Sequence, residues 1–485
     1  MGVESVAGGR RIAALLPMVW SVRNVVYGGV LDRLAAAGVD VHLILPHGAP
    51  DSVRAHSPAF RAAAAIHELE AQPARAVRGK ALLDGVIRSA FNRRYGVGSY
   101  PLYRTWYERR WTHAQRTRAA CIEALGMVAR VPAVFDAARG LSERQYRRAR
   151  DLRHAREQLE RIQPDVLWST FCVTPLEYPY YLAARDLGIP VVTSILSFDN
   201  LTSRGVIPDY DHYLVWHEKM RDQLIRLYPR TRPEQVTITG TTQFDFHRTP
   251  AYVWTREETL RRLGVPAGAR YVLYAGSHVG LAPAEPELVR GIAQHMHDTP
   301  ELRDLWTVVR IHPLETRDRW RPVTDVFPNV VVCTAWETAP DADGWTLSHP
   351  DDQAMLVSSL THAVACVNVA STISLDAAIL DRPVLGIDFS DEPTAPQDVM
   401  YQEYEAEHYR PLVQLGGLRL AHSWGELMTL IQTALDCPRM DSERRAAVVR
   451  QECGVVDGQA ASRVAAAMLA QLGVSAGQHQ HRKSA

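Results

Sequence analysis

The sequence predicts an α/β protein built as two doubly wound halves, each a parallel sheet with helices on its faces. Three observations carry this. Short Val/Ile/Leu-rich runs of strand length alternate with helical segments over most of the chain. The alternation is interrupted once and then restarts, so there are two sets of runs rather than one. The chain has 485 residues, too many for one typical domain and comfortable for two.

RIAALLP (11–17) reads as the first strand, followed by a helix around Val25–Ala37 that Gly38 ends. VDVHLILP (39–46) completes a βαβ unit, which implies parallel pairing. Residues 51–160 break the rhythm; rich in Ala, Arg and Glu, they read as a helical insertion. PDVLWST (164–170) resumes it. A helix over Leu176–Leu187, the strands IPVVTSI (189–195), YDHYLVW (210–216) and QVTITGT (235–241), and a helix through Leu227 follow. The segment GTTQFDF (240–246) marks the boundary between a first domain, 1–240, and a second, 241–456. Five runs supply the second sheet: YVLYAGS (271–277), WTVVRIHP (306–313), NVVVCTA (329–335), AVACVNVAS (363–371) and PVLGIDF (383–389). Both halves read as Rossmann-like layers. WGELMTLIQTAL (424–435) and a segment within 457–475 are amphipathic helices, and 476–485 has the composition of a disordered tail.

Composition excludes several functions. Lys+Arg and Asp+Glu both number 54, so no global field calls for a nucleic-acid partner. No apolar run approaches the length of a membrane span, and the N-terminus lacks the basic-then-apolar order of a secretory signal. The six cysteines form no Cys-x-x-Cys pair and read as buried free thiols of a cytoplasmic protein. No Gly-x-Gly-x-x-Gly or Walker A loop occurs, which weighs against dehydrogenases and NTPases. Neither a His-Glu-x-x-His motif nor a cysteine cluster occurs, so no metal and no bound cofactor are expected. The richness in Ala and Arg gives a bacterial impression.

One region is locally charged. Residues 75–118 carry eleven Lys/Arg against Asp84 and Glu108, interleaved with Tyr95, Tyr100, Tyr103, Trp106, Tyr107 and Trp111. The bland reading is a solvated insertion whose aromatics pack inward. The functional readings are a site for an anionic or lipid-linked acceptor, or a peripheral dock on the inner face of a membrane.

The groups that can carry chemistry sit where strands end. His312-Pro313 closes WTVVRI, so the imidazole projects from the carboxyl edge, where it either donates a proton to a leaving phosphate or simply bonds within a turn. Ser371-Thr372 follows AVACVNVA; the hydroxyls either cap the next helix or donate to an anion beside it. Gly276-Ser277-His278 follows YVLYA, and its backbone N–H groups can approach phosphate oxygens. Asp376, one turn into the next helix, suits ribose hydroxyls or the helix dipole. In the first half, SFDNLTSRG (197–205) trails a strand. Asp199 is placed to deprotonate a hydroxyl acceptor, with Asn200, Thr202, Ser203 and Arg204 on the acceptor side; the competing reading is a turn rich in Asx-type caps.

With these residues in place the chain resembles GT-B glycosyltransferases over most of 11–475, the 51–160 insertion excepted. His312-Pro313 and Ser371-Thr372 are similar to the HP element and Ser/Thr pair that hold the nucleotide phosphates in bacterial sialyl- and Kdo-transferases. DAAILDRPVLG resembles the Asp-x-Ala-x-Leu-x-Arg-Pro pattern of CDP-glycerol glycerophosphotransferases, although their HGTxxK-type segment is missing. Many GT-B enzymes show Glu-Ala-x-x-x-Gly-x-Pro instead, with Asp376 here for the Glu and Asp381 for the Gly. The UDP-N-acetylglucosamine 2-epimerase fold shares the architecture but matches these motifs poorly. The resemblance implies a metal-independent transferase of carbohydrate biosynthesis. Its second domain would bind a nucleotide-sugar donor, its first a hydroxyl acceptor (glycan, glycolipid or secondary metabolite), and residues 457–475 would cross back to the first domain. The alternatives are a polyol-phosphate transferase and a non-catalytic scaffold binding a partner through the basic insertion.

Overall fold

A computed structural model of the chain describes residues 9–46, 58–70, 80–97, 112–147, 150–202, 206–277, 279, 282–313, 315–334, 351–389 and 402–473. Two compact units divide it. Unit 1 holds the chain up to Val97, Trp111–Gln243 and the part from Gln459 onward; unit 2 holds Phe244–Gly458, with 98–110 lying outside the described residues.

The unit 1 sheet has seven strands: β1 (Arg11–Leu15), β2 (Asp40–Leu45), β3 (Ala65–Glu68), β4 (Val166–Ser169), β5 (Val191–Ser194), β6 (His212–Val215) and β7 (Val236–Ile238). Their order is β3-β2-β1-β4-β5-β6-β7, and every described pairing is parallel. Helices covering both faces explain why the central strands read as continuous apolar runs: β4 and β6 are buried at every residue. Two features differ from the sequence reading. The first helix is broken: a π-type turn spans Arg23–Tyr27, and α1 proper is Val30–Ala36. Gly29, at φ +76°, makes the break, in a region that favours glycine. The segment expected to be wholly helical also contributes β3, whose sequence AIHE is too short and too polar to announce a strand.

The rest of the insertion is helical: α2 (Lys80–Tyr95), α3 (His113–Ala129), α4 (Pro132–Tyr146) and α5 (Arg150–Ile162). Thr112 and Gln115 form a reciprocal capping box at the start of α3, and Pro132 opens α4 at its first position. Small residues let α2 and α3 approach closely, Gly85 against Ile122 and Gly126 against Ser89. Glu123 of α3 accepts from Ser89 Oγ at 2.9 Å and from Arg93 of α2, and Ser142 of α4 donates to Asp84 at 2.7 Å. After the insertion, α6 (Tyr178–Leu187) lies between β4 and β5 and ends at Gly188 in the left-handed conformation.

Unit 2 has six strands: β8 (Tyr271–Ala275), β9 (Trp306–Arg310), β10 (Val330–Cys333), β11 (Cys366–Asn368), β12 (Val384–Ile387) and β13 (Arg419–Ala421). Their order is β10-β9-β8-β11-β12-β13, again parallel in every described pairing. β13, three residues bearing an arginine, is one strand more than the five apolar runs implied. The helices α7 (Glu285–Asp298), α8 (Asp351–His362), α9 (Ile373–Ile379), α10 (Trp424–Asp436) and α11 (Ser442–Val448) accompany the sheet. A buried cluster including Tyr274, Val289, Ile292, Val309, Trp320, Val367 and Leu427 joins sheet to helices. The last helix, α12 (Ala460–Gln471), belongs to unit 1, where Ser462 Oγ accepts from Arg33 of α1 and Arg463 donates to the Thr239 carbonyl at 2.8 Å.

Asp381, matched to a glycine in the motif resemblance, sits at φ +54°, a conformation that favours glycine. The Asp381 carboxylate is secured there by Arg445 of α11, at 3.0 and 2.6 Å, and by Ser442 Oγ at 2.8 Å. All six cysteines are free; Cys172, Cys333, Cys366 and Cys453 are buried, while Cys121 and Cys437 are exposed. Among the described residues no helix is long and apolar enough to cross a membrane, and no group of three or more His, Cys, Asp or Glu is arranged to hold a metal ion.

Candidate functional site

In unit 2 the chain runs outward from β8 through β9 to β10, then returns to pair β11 on the other side of β8. The strand order therefore reverses at β8/β11, the point in open α/β sheets where a crevice opens beyond the carboxyl ends. Register aligns what emerges there. Ala275 is opposite Arg310 on one side and Asn368 on the other. Just beyond these three residues come Gly276-Ser277, His312-Pro313 and Ser371-Thr372. One edge of one sheet thus gathers all three sequence elements.

The turn after β11 is built from below. Asn368, fully buried, accepts from the Ser371 N–H at 3.0 Å and donates to Ser374 Oγ at 3.1 Å. Ser374 Oγ meets the Tyr409 hydroxyl at 2.8 Å, and Tyr404 OH accepts from the Ala370 N–H at 3.2 Å. This frame holds Ala370 at φ +43°, a strained position for a residue with a Cβ. The consequence is at the top of the turn. Thr372 is exposed, Ser371 half-buried, and among the described residues neither hydroxyl makes a hydrogen bond. Thr372 does not cap α9, so of the two sequence readings the plain N-cap is the one the geometry disfavours.

The turn after β8 differs from expectation. The Gly276 N–H donates to the Arg310 carbonyl at 2.9 Å, and the Ser277 N–H donates to both oxygens of Glu285 at 2.9 Å. These N–H groups, expected to face phosphate, are engaged within the protein, and His278 lies outside the described residues. Glu285 also accepts from Tyr274 OH at 3.1 Å and faces Arg319 at 3.7 Å, while Arg319 reaches Glu315 at 3.1 Å. Burial pushes the Glu285 carboxyl up to about 8 despite these partners. An acid whose folded pKa exceeds its unfolded value binds the proton more tightly when folded. Its contribution to stability is complete below the unfolded value and is lost as pH rises through the folded one. Thermal melts from pH 5 to 9 should therefore show the wild type losing stability toward the alkaline end. Glu285→Gln should lose less over the same range; parallel pH curves for the two proteins would refute the assignment.

His312 is partly exposed, and its carbonyl accepts from the Glu315 N–H at 2.9 Å, which tightens the turn beneath it. Asp376 lies on α9 with one carboxylate oxygen 3.0 Å from His247 Nε2; the imidazole is almost fully buried and the carboxylate partly open.

In unit 1 the order reverses between β1 and β4. Here Glu177 is buried, accepts from the Thr170 and Phe171 N–H groups at 3.1 and 2.9 Å and from Ser169 Oγ, and is pushed up to about 7 by burial. A small pocket at the carboxyl ends of the strands, about 30 Å³, is lined by Asn24, Trp168, Thr170, Ser194, Trp216 and Thr241, among others. The SFDNL loop lies apart from that lining. Asp199, Asn200 and Thr202 are 7%, 1% and 3% exposed. Asn200 accepts from the Ser197 N–H at 3.0 Å and donates to Asp199 at 3.3 Å, and Thr202 donates back to the Asp199 carbonyl. These are the bonds of the Asx-turn reading: the loop's polar groups fold the loop. Ser203 and Arg204 lie outside the described residues.

Comparison with solved structures follows the same architecture. A candidate UDP-N-acetylglucosamine 2-epimerase of Listeria monocytogenes superposes with a TM-score of 0.55 at 11% identity, covering 96% of this chain and 97% of that one. MnaA of S. aureus, solved with UDP, gives 0.52 at 11%, over 96% and 97%. UDP-GlcNAc 2-epimerase of Neisseria meningitidis, bound to UDP-GlcNAc, gives 0.52 at 10%, over 95% and 100%. The fold is GT-B. No family model and no curated protein matches the sequence.

Glu285, Asn368, Tyr404 and Tyr409 escaped the sequence reading. Asn368 left a signal, a lone amide inside an otherwise apolar strand; Tyr404 and Tyr409 reach the edge from more than thirty residues away.

Proposed function

We propose that the chain is a glycosyltransferase that moves a sugar from a nucleotide-activated donor to a hydroxyl acceptor. The observation that supports it best is the pair of hydroxyls, Ser371 and Thr372, without a hydrogen bond among the described residues and held at the switch point of unit 2 on the same edge as His312. In this reading the two hydroxyls donate to diphosphate oxygens, and His312 protonates or offsets the departing phosphate. Asp376, one oxygen turned to His247, has its other oxygen for the ribose. The bond from the anomeric carbon to phosphate oxygen breaks, a bond to the acceptor oxygen forms as its hydroxyl proton passes to solvent, and the nucleotide leaves as a diphosphate. The acceptor would approach the carboxyl edge of unit 1, where Thr170, Ser194 and Thr241 line a small pocket beside the buried indoles of Trp168 and Trp216. Two of the structural relatives were solved with UDP or UDP-GlcNAc, which makes uridine nucleotides the first donors to test.

A thermal-shift screen over UDP, CDP, CMP, GDP and dTDP, with CDP-glycerol and the matching sugar nucleotides, tests this directly. A ligand at roughly 100 times its Kd should add about 2.7 kcal/mol of stability. Release of nucleotide that depends on an added hydroxyl acceptor supports transfer. Interconversion of the donor sugar without release, turnover of CDP-glycerol alone, or no nucleotide binding at all would each overturn it.

A further inference from the structure

The insertion in unit 1 leaves a set of large apolar side chains exposed among the described residues. α3 turns Ile122, Glu123, Gly126 and Ala129 toward α2, at helical spacing. Away from that face Leu125 and Val128, neighbours at i and i+3, are 50% and 62% exposed, with Met127 on the opposite flank at 52%. The turn into α4 and α4 itself add Val131, Val134 and Leu141 at 51%, 41% and 50%. A solvent-facing helix side is ordinarily polar, so six large apolar side chains on one hairpin are out of place for water.

The charges around the patch are of one sign. Each acid of the hairpin is already held: Glu123 by Arg93, Asp136 by Arg230 at 2.8 Å and Glu143 by Arg147 at 2.8 Å. Arg116, Arg118, Arg130 and Arg144 form no ion pair among the described residues. Apolar side chains that enter the acyl boundary, ringed by cations that remain among headgroups, are what an interfacial helix presents to an anionic bilayer. A protein partner of mixed charge would leave the arginines without that complement.

We propose that the α3–α4 hairpin docks this chain on an anionic lipid surface. The contact lies mainly past the basic stretch 75–118, on the helix turn around Val128 and Val131, with Arg130 beside it and Arg116 and Arg118 at the far end of α3. The test is co-sedimentation at low ionic strength with vesicles of phosphatidylcholine, with and without phosphatidylglycerol. The wild type should pellet with the anionic vesicles and stay in solution with the neutral ones. Arg116→Ala/Arg118→Ala/Arg130→Ala should weaken partition roughly a hundredfold, at about fivefold per arginine. Val128→Asp/Val131→Asp should abolish it. Both sets of positions are exposed, so melting curves and far-UV circular dichroism should match the wild type. Nucleotide binding should be unchanged in both, which separates this result from the reading of unit 2. Wild type left in the supernatant, or an aspartate variant that sediments equally well, overturns the proposal. So does concentration-dependent dimerisation that the aspartates remove without any lipid binding.

Discussion

His312→Ala is expected to lower turnover about 10²–10³-fold, with a much smaller change in donor affinity. The size is that of losing one group which stabilises developing charge or transfers a proton in the transition state. The split between turnover and binding follows from position. His312 follows β9 and is fixed by the turn through Glu315, while in the proposed function Ser371 and Thr372 would supply separate hydroxyls for the diphosphate. Steady-state rates and a titration with the nucleotide product distinguish the two effects. Full turnover in His312→Ala with normal donor binding would remove the imidazole from the chemistry and leave it a turn residue.

The second large effect concerns stability. Arg310 and Asp352 form an ion pair of 2.7 Å, with only 9% and 7% of their side chains exposed. Arg310→Met should destabilise unit 2 by about 3–5 kcal/mol, because Asp352 would keep a buried charge without its cation. The double variant Arg310→Met/Asp352→Leu should recover most of that loss, since hydrophobic replacement of a whole buried pair is often neutral or better. Chemical denaturation of the three proteins measures this. A single variant within about 1 kcal/mol of wild type would show that water or another group already solvates Asp352.

The sequence revealed the fold more fully than the site, and the reason is physical. Parallel strands buried on both faces are written as apolar runs, so β1, β4, β8 and β12 were legible. β3 and β13 were not, because an edge strand of three or four residues needs only backbone pairing and leaves little pattern. Residues at strand ends were legible as a set: His312, Ser371 and Thr372 do share one edge. Their neighbours were not. Whether the Ser277 N–H is open depends on Glu285, and what holds Ser371 depends on Tyr409, contacts that no local spacing encodes. The polar density of 197–205 pointed to chemistry, yet Asp199, Asn200 and Thr202 face inward and serve the turn. Composition cannot tell a loop that uses its polar groups on itself from one that offers them to a ligand.

The ends of unit 2 meet. Arg248, just after the chain enters, donates to the Val456 carbonyl at 3.2 Å, and Gly458, where the chain leaves, packs against the Arg248 side chain. A continuous segment whose ends touch, as those of 248–456 do here, can be cut out or spliced in at a single seam. If unit 2 holds the donor as proposed, such a seam would let that half be exchanged as one piece while the other half stays in place.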